Sequence, residues 1–315
     1  MKTNKLKNIT DKLRPYKSYE PPQPKNKDLP PTYNIILSSS PKGGGKSYNC
    51  LQLLTNYEES GFIDENGENV QMRIVWISGG TSHSKQNSIL DSLKFLHKDD
   101  RIDLEENIDF RMKEIYNEIK TERDNIVSYN VYRNVYKKFI NENIESLTNE
   151  ELFLLRYKQF IDPSADPLVP KDQDGNVLYV PRMVFMILDD MISTDAFGIK
   201  KNNFFNKICV KSRHDSPDLC PINLFFITQS FKAVPAIIRK QTDIFVLLKS
   251  ASRTYIIDAI SEEVGSHFSK EEIMKYYDSI MDIPFGSLIL SIHKKELEKN
   301  RVRLGWSQSI EREKI

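Results

Sequence analysis

Cysteine is scarce in this chain: Cys50, Cys209 and Cys220 are the only three in 315 residues. They lie far apart and form no C-x-x-C pair, which suits a reducing compartment and scattered thiols better than a zinc site or a disulfide framework. His214 has no companions at metal-ligand spacing and receives no metal role. An excess of one charge is missing too. Forty-five basic residues face 44 acidic ones, for a net charge of +1. That balance excludes a global basic signature of nucleic-acid binding, so any such contact must come from a local patch or a ring of subunits. No apolar run approaches the length of a membrane span, and the polar, Lys-rich N-terminus is not a signal peptide. These absences lead us to expect a soluble intracellular protein. There is no internal repeat. The length suits one large α/β domain or a core with an elaborated insertion.

Proline is unevenly placed. Residues 1–32 end in PYKSYEPPQPKNKDLPP, and this polar, proline-rich stretch reads as an extended arm ahead of a domain spanning 33–315. Strands are expected near 33–38 and over Met72–Ser78, Met183–Leu188, Ile222–Thr228 and Ile244–Leu248. Their near-continuous apolar runs fit a sheet covered on both faces. Between the second and third strands the pattern is helical from about 84 to 160. Ile108, Met112, Ile115 and Ile119 recur at helical spacing, as do Val131, Val135 and Phe139. With the following proline-containing tract this defines a helical insertion of about 84–170. The tyrosines Tyr129, Tyr132 and Tyr136 read as helix packing. Ser269 and Glu272 form a capping-box signature for a later helix. SLILSIH and VRLGW are candidates to extend the sheet. The expected fold is therefore α/β, a mostly parallel central sheet flanked by helices.

The densest chemical signal is NIILSSSPKGGGKSYNCLQLL, residues 34–54: an apolar strand, a glycine-rich loop, then a helix. That order gives a phosphate-binding loop its physical context. Successive glycines let backbone N–H groups turn towards an anion, and the helix N-terminus adds a favourable dipole. Lys46 would reach the β- and γ-phosphates of ATP, and the Ser47 hydroxyl would sit on Mg²⁺. Pro41, Lys42, Gly43, Gly44, Gly45, Lys46, Ser47 and Tyr48 form the candidate nucleotide-binding set. Ser40 stands where the G-x-x-x-x-G-K-[ST] pattern has its first glycine, and with Gly43 and Gly44 inside the loop it reads as a tolerated variant.

MVFMILDDM places Asp189 and Asp190 at the end of an apolar strand. The first acid would orient Mg²⁺ and its water ligands, and the second would polarise the attacking water. INLFFITQS ends a further strand in Gln229, positioned to contact the γ-phosphate or the lytic water. Arg213 and Arg239 are candidate arginine fingers, because a guanidinium matches phosphate oxygens bidentately. Lys207 and Lys211 mark a local basic face that could touch DNA.

Taken in order, SPKGGGKS, FMILDD, KSRHDSPDLCPINLFFITQS and VPAIIRKQTDIFVLL resemble the poxvirus-type genome-packaging ATPases of large DNA viruses and virophages, members of the FtsK–HerA superfamily. The resemblance covers about residues 33–250. It implies a P-loop NTPase core of the ASCE/RecA-like kind with ATP and Mg²⁺ as cofactors. It also implies a homo-oligomeric ring (pentamer or hexamer) that translocates double-stranded DNA into a preformed capsid. Capsid or portal proteins are then further partners, and host cytoplasm or virion is the location. On this match Lys46 and Ser47 are the Walker A residues, Asp189 and Asp190 the Walker B pair, and Gln229 the sensor. Arg213 is then the first choice for a trans-acting finger and Arg239 the second.

Two alternatives stand beside it: a cellular or plasmid translocase of the same superfamily, and a nucleotide-gated assembly switch that moves nothing. The chain shows no N-K-x-D guanine-reading motif and no LSGGQ-like signature. Little chain follows the fifth strand, so no integral nuclease is expected.

Overall fold

The computed structural model describes residues 21–79, 90–103, 107–172, 174–191, 194, 197, 204–211, 220–249 and 253–310. They fall into two compact units. One comprises 117–182, and the other the remaining described residues.

The larger unit is built on a nine-stranded sheet. In chain order its strands are β2 (Ile35–Ser39), β5 (Met72–Ser78), β6 (Arg101–Asp103), β7 (Met183–Asp189), β8 (Asn223–Thr228), β9 (Ile244–Leu248), β10 (Ser287–Ser291), β11 (Val302–Leu304) and β12 (Gln308–Ser309). Across the sheet the order is β12-β11-β10-β9-β2-β8-β7-β5-β6. From β9 to β6 every pairing is parallel, whereas β10, β11 and β12 add on antiparallel. All residues of β2, β7, β8 and β9 are buried. This is why their sequences run apolar without alternation. Each fully buried Val, Leu, Ile or Phe there contributes about 1.5–3 kcal/mol, so these strands form the main store of stability.

The strand order reverses at β2. Strands β5 to β8 lie to one side of it and β9 onwards to the other. In an open parallel sheet such a reversal leaves a crevice at the carboxyl ends of the strands, where ligands bind. One strand, β8, separates β2 from β7.

Helix α1 (Lys46–Ser60) follows β2 and buries Cys50, Leu51, Leu53, Leu54 and Tyr57. It ends at Gly61, whose φ of 65° few other residues adopt and whose N–H bonds Tyr57 O. Its first turn is anchored from the far end of the chain. Asn49 is buried and donates Nδ2 to Ser287 Oγ at 2.8 Å. Trp306 Nε1 donates to Asn49 O at 2.8 Å and to Asn49 Oδ1 at 3.0 Å.

Several boundaries differ from the sequence reading. Residues 21–32 are not a free arm. β1 (Gln23–Pro24) pairs with β3 (Phe62–Ile63), which pairs in turn with β4 (Asn69–Val70) in a small antiparallel sheet. Pro30 O accepts from the Tyr57 hydroxyl at 2.9 Å. Asp28 O accepts from Arg303, which forms a 3.0 Å ion pair with Glu296, both side chains 1% exposed. Burial raises the Glu296 carboxyl above its ordinary value, and the Arg303 charge pulls against that rise. Residues 1–20 lie outside the described residues.

The helical reading of 84–160 fails at β6. Arg73 reaches Asp100 through two hydrogen bonds of 2.7 and 3.0 Å, and this fixes the chain in time for Arg101–Asp103 to pair with β5. Helix α2 (Ile108–Asn141) is 34 residues long. Its part through Tyr116 belongs with the sheet. The Tyr116 hydroxyl bonds both the backbone N–H and O of Cys220, at 2.8 and 2.9 Å.

The smaller unit contains the rest of α2 and α3 (Asn149–Tyr157), which opens on a capping box formed by Thr148 and Glu151. Its core includes Tyr132, Val135, Leu147, Leu154 and Leu155, with Tyr136 and Phe139 packed against it. Tyr132 and Tyr136 are thus used for packing, as is the buried Tyr129. In the larger unit α4 (Phe204–Lys211), α5 (Ala236–Gln241) and α6 (Arg253–Val264) precede α7 (Lys270–Asp278). The latter carries the Ser269–Glu272 capping box that the sequence shows.

Candidate nucleotide-binding site

Parallel strands bring their C-terminal ends to one edge, and four of the candidate groups follow from that alone. Ser39, the last residue of β2, pairs with Thr228 of β8, and Asp189 of β7 pairs with Ile227. The loop 40–45, the acid pair and Gln229 therefore leave the sheet side by side.

The loop geometry explains the unusual serine. Gly43 and Gly45 adopt φ of 81° and 89°, conformations that L side chains rarely accept, whereas Ser40 is not among the residues with positive φ. Position 40 therefore has no backbone need for glycine. Its N–H bonds Thr228 O at 3.2 Å, and the residue is 1% exposed. The demand falls on Gly44 instead. A Cβ there would overlap Ser40 Oγ and lie 2.9 Å from Ser40 Cβ. Ser40 and Gly44 thus fit each other as a pair. Gly44→Ala should destabilise the loop by about 1–3 kcal/mol, and Ser40→Gly introduced beside it should recover most of that loss. Thermal melts and nucleotide titration of the two single variants and the double would show this as a coupling of about 0.5–3 kcal/mol. Simple additivity would contradict the paired fit.

Helix α1 begins directly at Lys46 and has no side-chain cap and no acid in its first turn. Its first N–H groups are thus left for an external anion. Lys46 Nζ donates to Ser40 O at 2.6 Å and Pro41 O at 3.0 Å. Partial burial lowers the ammonium's pKa, and Asp189 and Asp190 oppose that shift by their negative charge. Both acids therefore act electrostatically on Lys46.

The acids themselves differ. Asp189 is 8% exposed, and its carbonyl accepts from Gly79 N at 2.9 Å. Asp190 is exposed and sits at φ 56°, a left-handed conformation that Asp tolerates better than most residues. Gln229 Nε2 donates to Asp190 Oδ2 at 2.9 Å. The residue after β8 is thereby tied to the residue after β7. Burial, reinforced by the Asp189 charge, holds the Cys50 thiol protonated by raising its pKa well above the ordinary range.

Among the described residues no group of three or more His, Cys, Asp or Glu side chains could hold a metal by itself. The Ser47 hydroxyl and the Asp189 carboxylate are oxygen donors of the kind Mg²⁺ takes, an ion usually held by one or two protein oxygens together with phosphates and water.

The two arginines part company. Arg239 is held by contacts within its own chain. It pairs with Glu263 at 2.9 Å, donates to Val234 O at 2.8 Å and Lys232 O at 3.3 Å, and lies over the Phe231 ring. A finger must be free to reach another subunit's nucleotide, so Arg239 is better described as a clamp between α5 and α6. Arg213 and His214 lie outside the described residues. Lys207 and Lys211 are exposed on α4.

A strand, glycine loop and helix, with an acid-tipped strand on the far side of one intervening strand, define a P-loop NTPase fold. Neither a family model nor a curated protein sequence matches the chain. Among solved structures it is similar to the genome-packaging NTPase B204 of Sulfolobus turreted icosahedral virus 2 in complex with sulfate, at 11% identity and a TM-score of 0.42, over 88% of this chain and 98% of that one. The same NTPase in complex with ATP-gammaS gives 11% and 0.43, over 89% and 98%. EssC (ATPases 2 and 3) from Geobacillus thermodenitrificans gives 13% and 0.40, over 84% of this chain and 38% of that one. Likeness at this level says nothing of this chain's chemistry, which rests on the residues above.

Proposed function

We propose that this protein is an ATP-hydrolysing motor that translocates double-stranded DNA, working as a homo-oligomeric ring to package a viral genome into a preformed capsid. The observation that carries the hydrolytic half is the meeting of Lys46, Asp189, Asp190 and the Asp190-bound Gln229 at one sheet edge, beside the uncapped start of α1. Lys46 and the loop N–H groups would hold the phosphates, with Ser47 and Asp189 holding Mg²⁺. Asp190 would orient the attacking water, and Gln229, through its bond to Asp190, would report the state of the γ-phosphate. When bound, Mg²⁺ would supply charge neutralisation between the phosphates. Arg213 is our candidate for a finger acting on the neighbouring subunit's nucleotide.

The translocating half rests on the ordered motif set and on the charge balance. A motor that moves along any sequence can grip only phosphates, so its DNA contacts should be electrostatic and salt-sensitive. One subunit of net charge +1 has no large positive field, so the exposed Lys207 and Lys211 would act only when assembly lines them up. Phosphate release should rise with double-stranded DNA of any sequence, fall steeply with salt, and grow faster than linearly with protein concentration. Turnover indifferent to DNA, in rings demonstrated to be assembled, would favour the nucleotide-gated switch.

A further inference from the structure

Gly45, the last residue of the phosphate loop, also lines a cavity of about 600 Å³ on the side of α1 that faces the loop between α7 and β10. Its walls include Tyr48 and Gln52 from α1, Ile283 and Phe285 from that loop, and Leu304 and Gln308 from β11 and β12. Every lining side chain among the described residues is uncharged.

Two aromatic rings stand open at this cavity. Phe285 is 67% exposed and Tyr48 61% exposed, although large apolar side chains elsewhere in this unit are mostly buried. Phe285 is also held in an unfavourable backbone. Its φ is 54°, in a turn closed by Gly286 N to Ile283 O at 3.0 Å. Left-handed conformations are rare for a bulky residue and mark functional sites when the surroundings enforce them. Enforcement is visible here. A Cβ at Gly286 would lie 2.8 Å from Ile280 O, and Lys249 Nζ holds Met281 O at 2.7 Å. The ring is brought so close to the phosphate loop that a Cβ at Gly45 would lie 3.2 Å from Phe285 Cδ1.

We infer that this cavity takes the base of the bound nucleotide, with Phe285 as its stacking platform and Tyr48 as the second aromatic wall. This rests on the nucleotide-binding reading of the phosphate loop. A ligand whose phosphates lie at the start of α1 has its base a few ångströms further out. The cavity opening at Gly45 is apolar, aromatic and uncharged, which suits a planar neutral base and does not suit another phosphate. The amides of Gln52 and Gln308 can each donate or accept a hydrogen bond, so either purine edge can be met. Base recognition is thus by stacking more than by a selective hydrogen-bond pattern.

Removing a stacked ring costs about 10-fold to 100-fold in affinity. The test is calorimetric titration of the full chain with Mg-ATP and, separately, Mg-tripolyphosphate, which has the same charge-bearing chain and no base. Wild type should bind ATP the more tightly. Phe285→Ala should weaken ATP by about 10-fold to 100-fold while leaving tripolyphosphate unchanged, and Phe285→Trp should restore ATP binding. Lys46→Ala should weaken both ligands. Unchanged ATP affinity in Phe285→Ala, or equal loss for both ligands, would overturn the base assignment while leaving the phosphate loop in place. Failure of wild type to bind either ligand would overturn both.

Discussion

Lys46→Ala should lower ATP turnover by about 10²–10³-fold or more while leaving the melting temperature near that of the wild type. The ammonium reaches back over the loop from the start of α1, through a part-buried hydrogen bond to Ser40 O and an exposed one to Pro41 O. Phosphate oxygens would compete with those carbonyls for the same charge. The fold does not depend on it, since α1 is fixed by Asn49, Trp306 and the buried leucines. Steady-state phosphate release beside a thermal melt checks both halves of the expectation. Full turnover in a folded Lys46→Ala protein would remove this loop from the chemistry.

The acid pair should divide its labour. Asp189→Asn is expected to weaken Mg-ATP binding, and Asp190→Asn to leave binding near normal while slowing cleavage by about 10²–10⁴-fold. Asp189 ends a buried strand with its backbone fixed against Gly79, as befits a metal ligand that must not move. Asp190 turns out of the strand at φ 56° and accepts from Gln229, as befits a group that handles water. Asn tolerates the same left-handed backbone, so the substitution removes charge without adding strain. Fluorescent-nucleotide titration followed by single-turnover hydrolysis separates the two effects. Equal loss of binding in both variants would contradict the division.

The parts of this site legible in the sequence are those encoded within one strand and the turn after it. The loop after β2, the acids after β7 and Gln229 after β8 could be read because each apolar run points to its own carboxyl end, and a parallel sheet then gathers those ends. Other features depend on distant partners and leave no local mark. The need for Gly44 comes from the Ser40 side chain pressed against it, although the sequence shows only a glycine run with a serine before it. Phe285 comes to Gly45 because β10 pairs with β9, the strand beside β2, some 240 residues after the loop (285 − 45 = 240). Arg239 looks like a finger by residue type, and only the approach of Glu263 on α6 shows it to be a clamp. β6 was hidden because three residues carry no periodicity, and its pairing follows from the Arg73–Asp100 contact. Residues 21–32 look solvated by composition, yet they find a strand partner in β3 and a buried arginine at 303.

The most direct test of the motor reading is displacement of a third strand from a DNA triplex by the assembled protein. A translocase moving along the duplex strips that strand whatever the flanking sequence. Displacement should require ATP and Mg²⁺, show a lag that grows with the length of duplex before the triplex, and be absent with Lys46→Ala. A wild-type protein that hydrolyses ATP on the same DNA and leaves the triplex in place would contradict it.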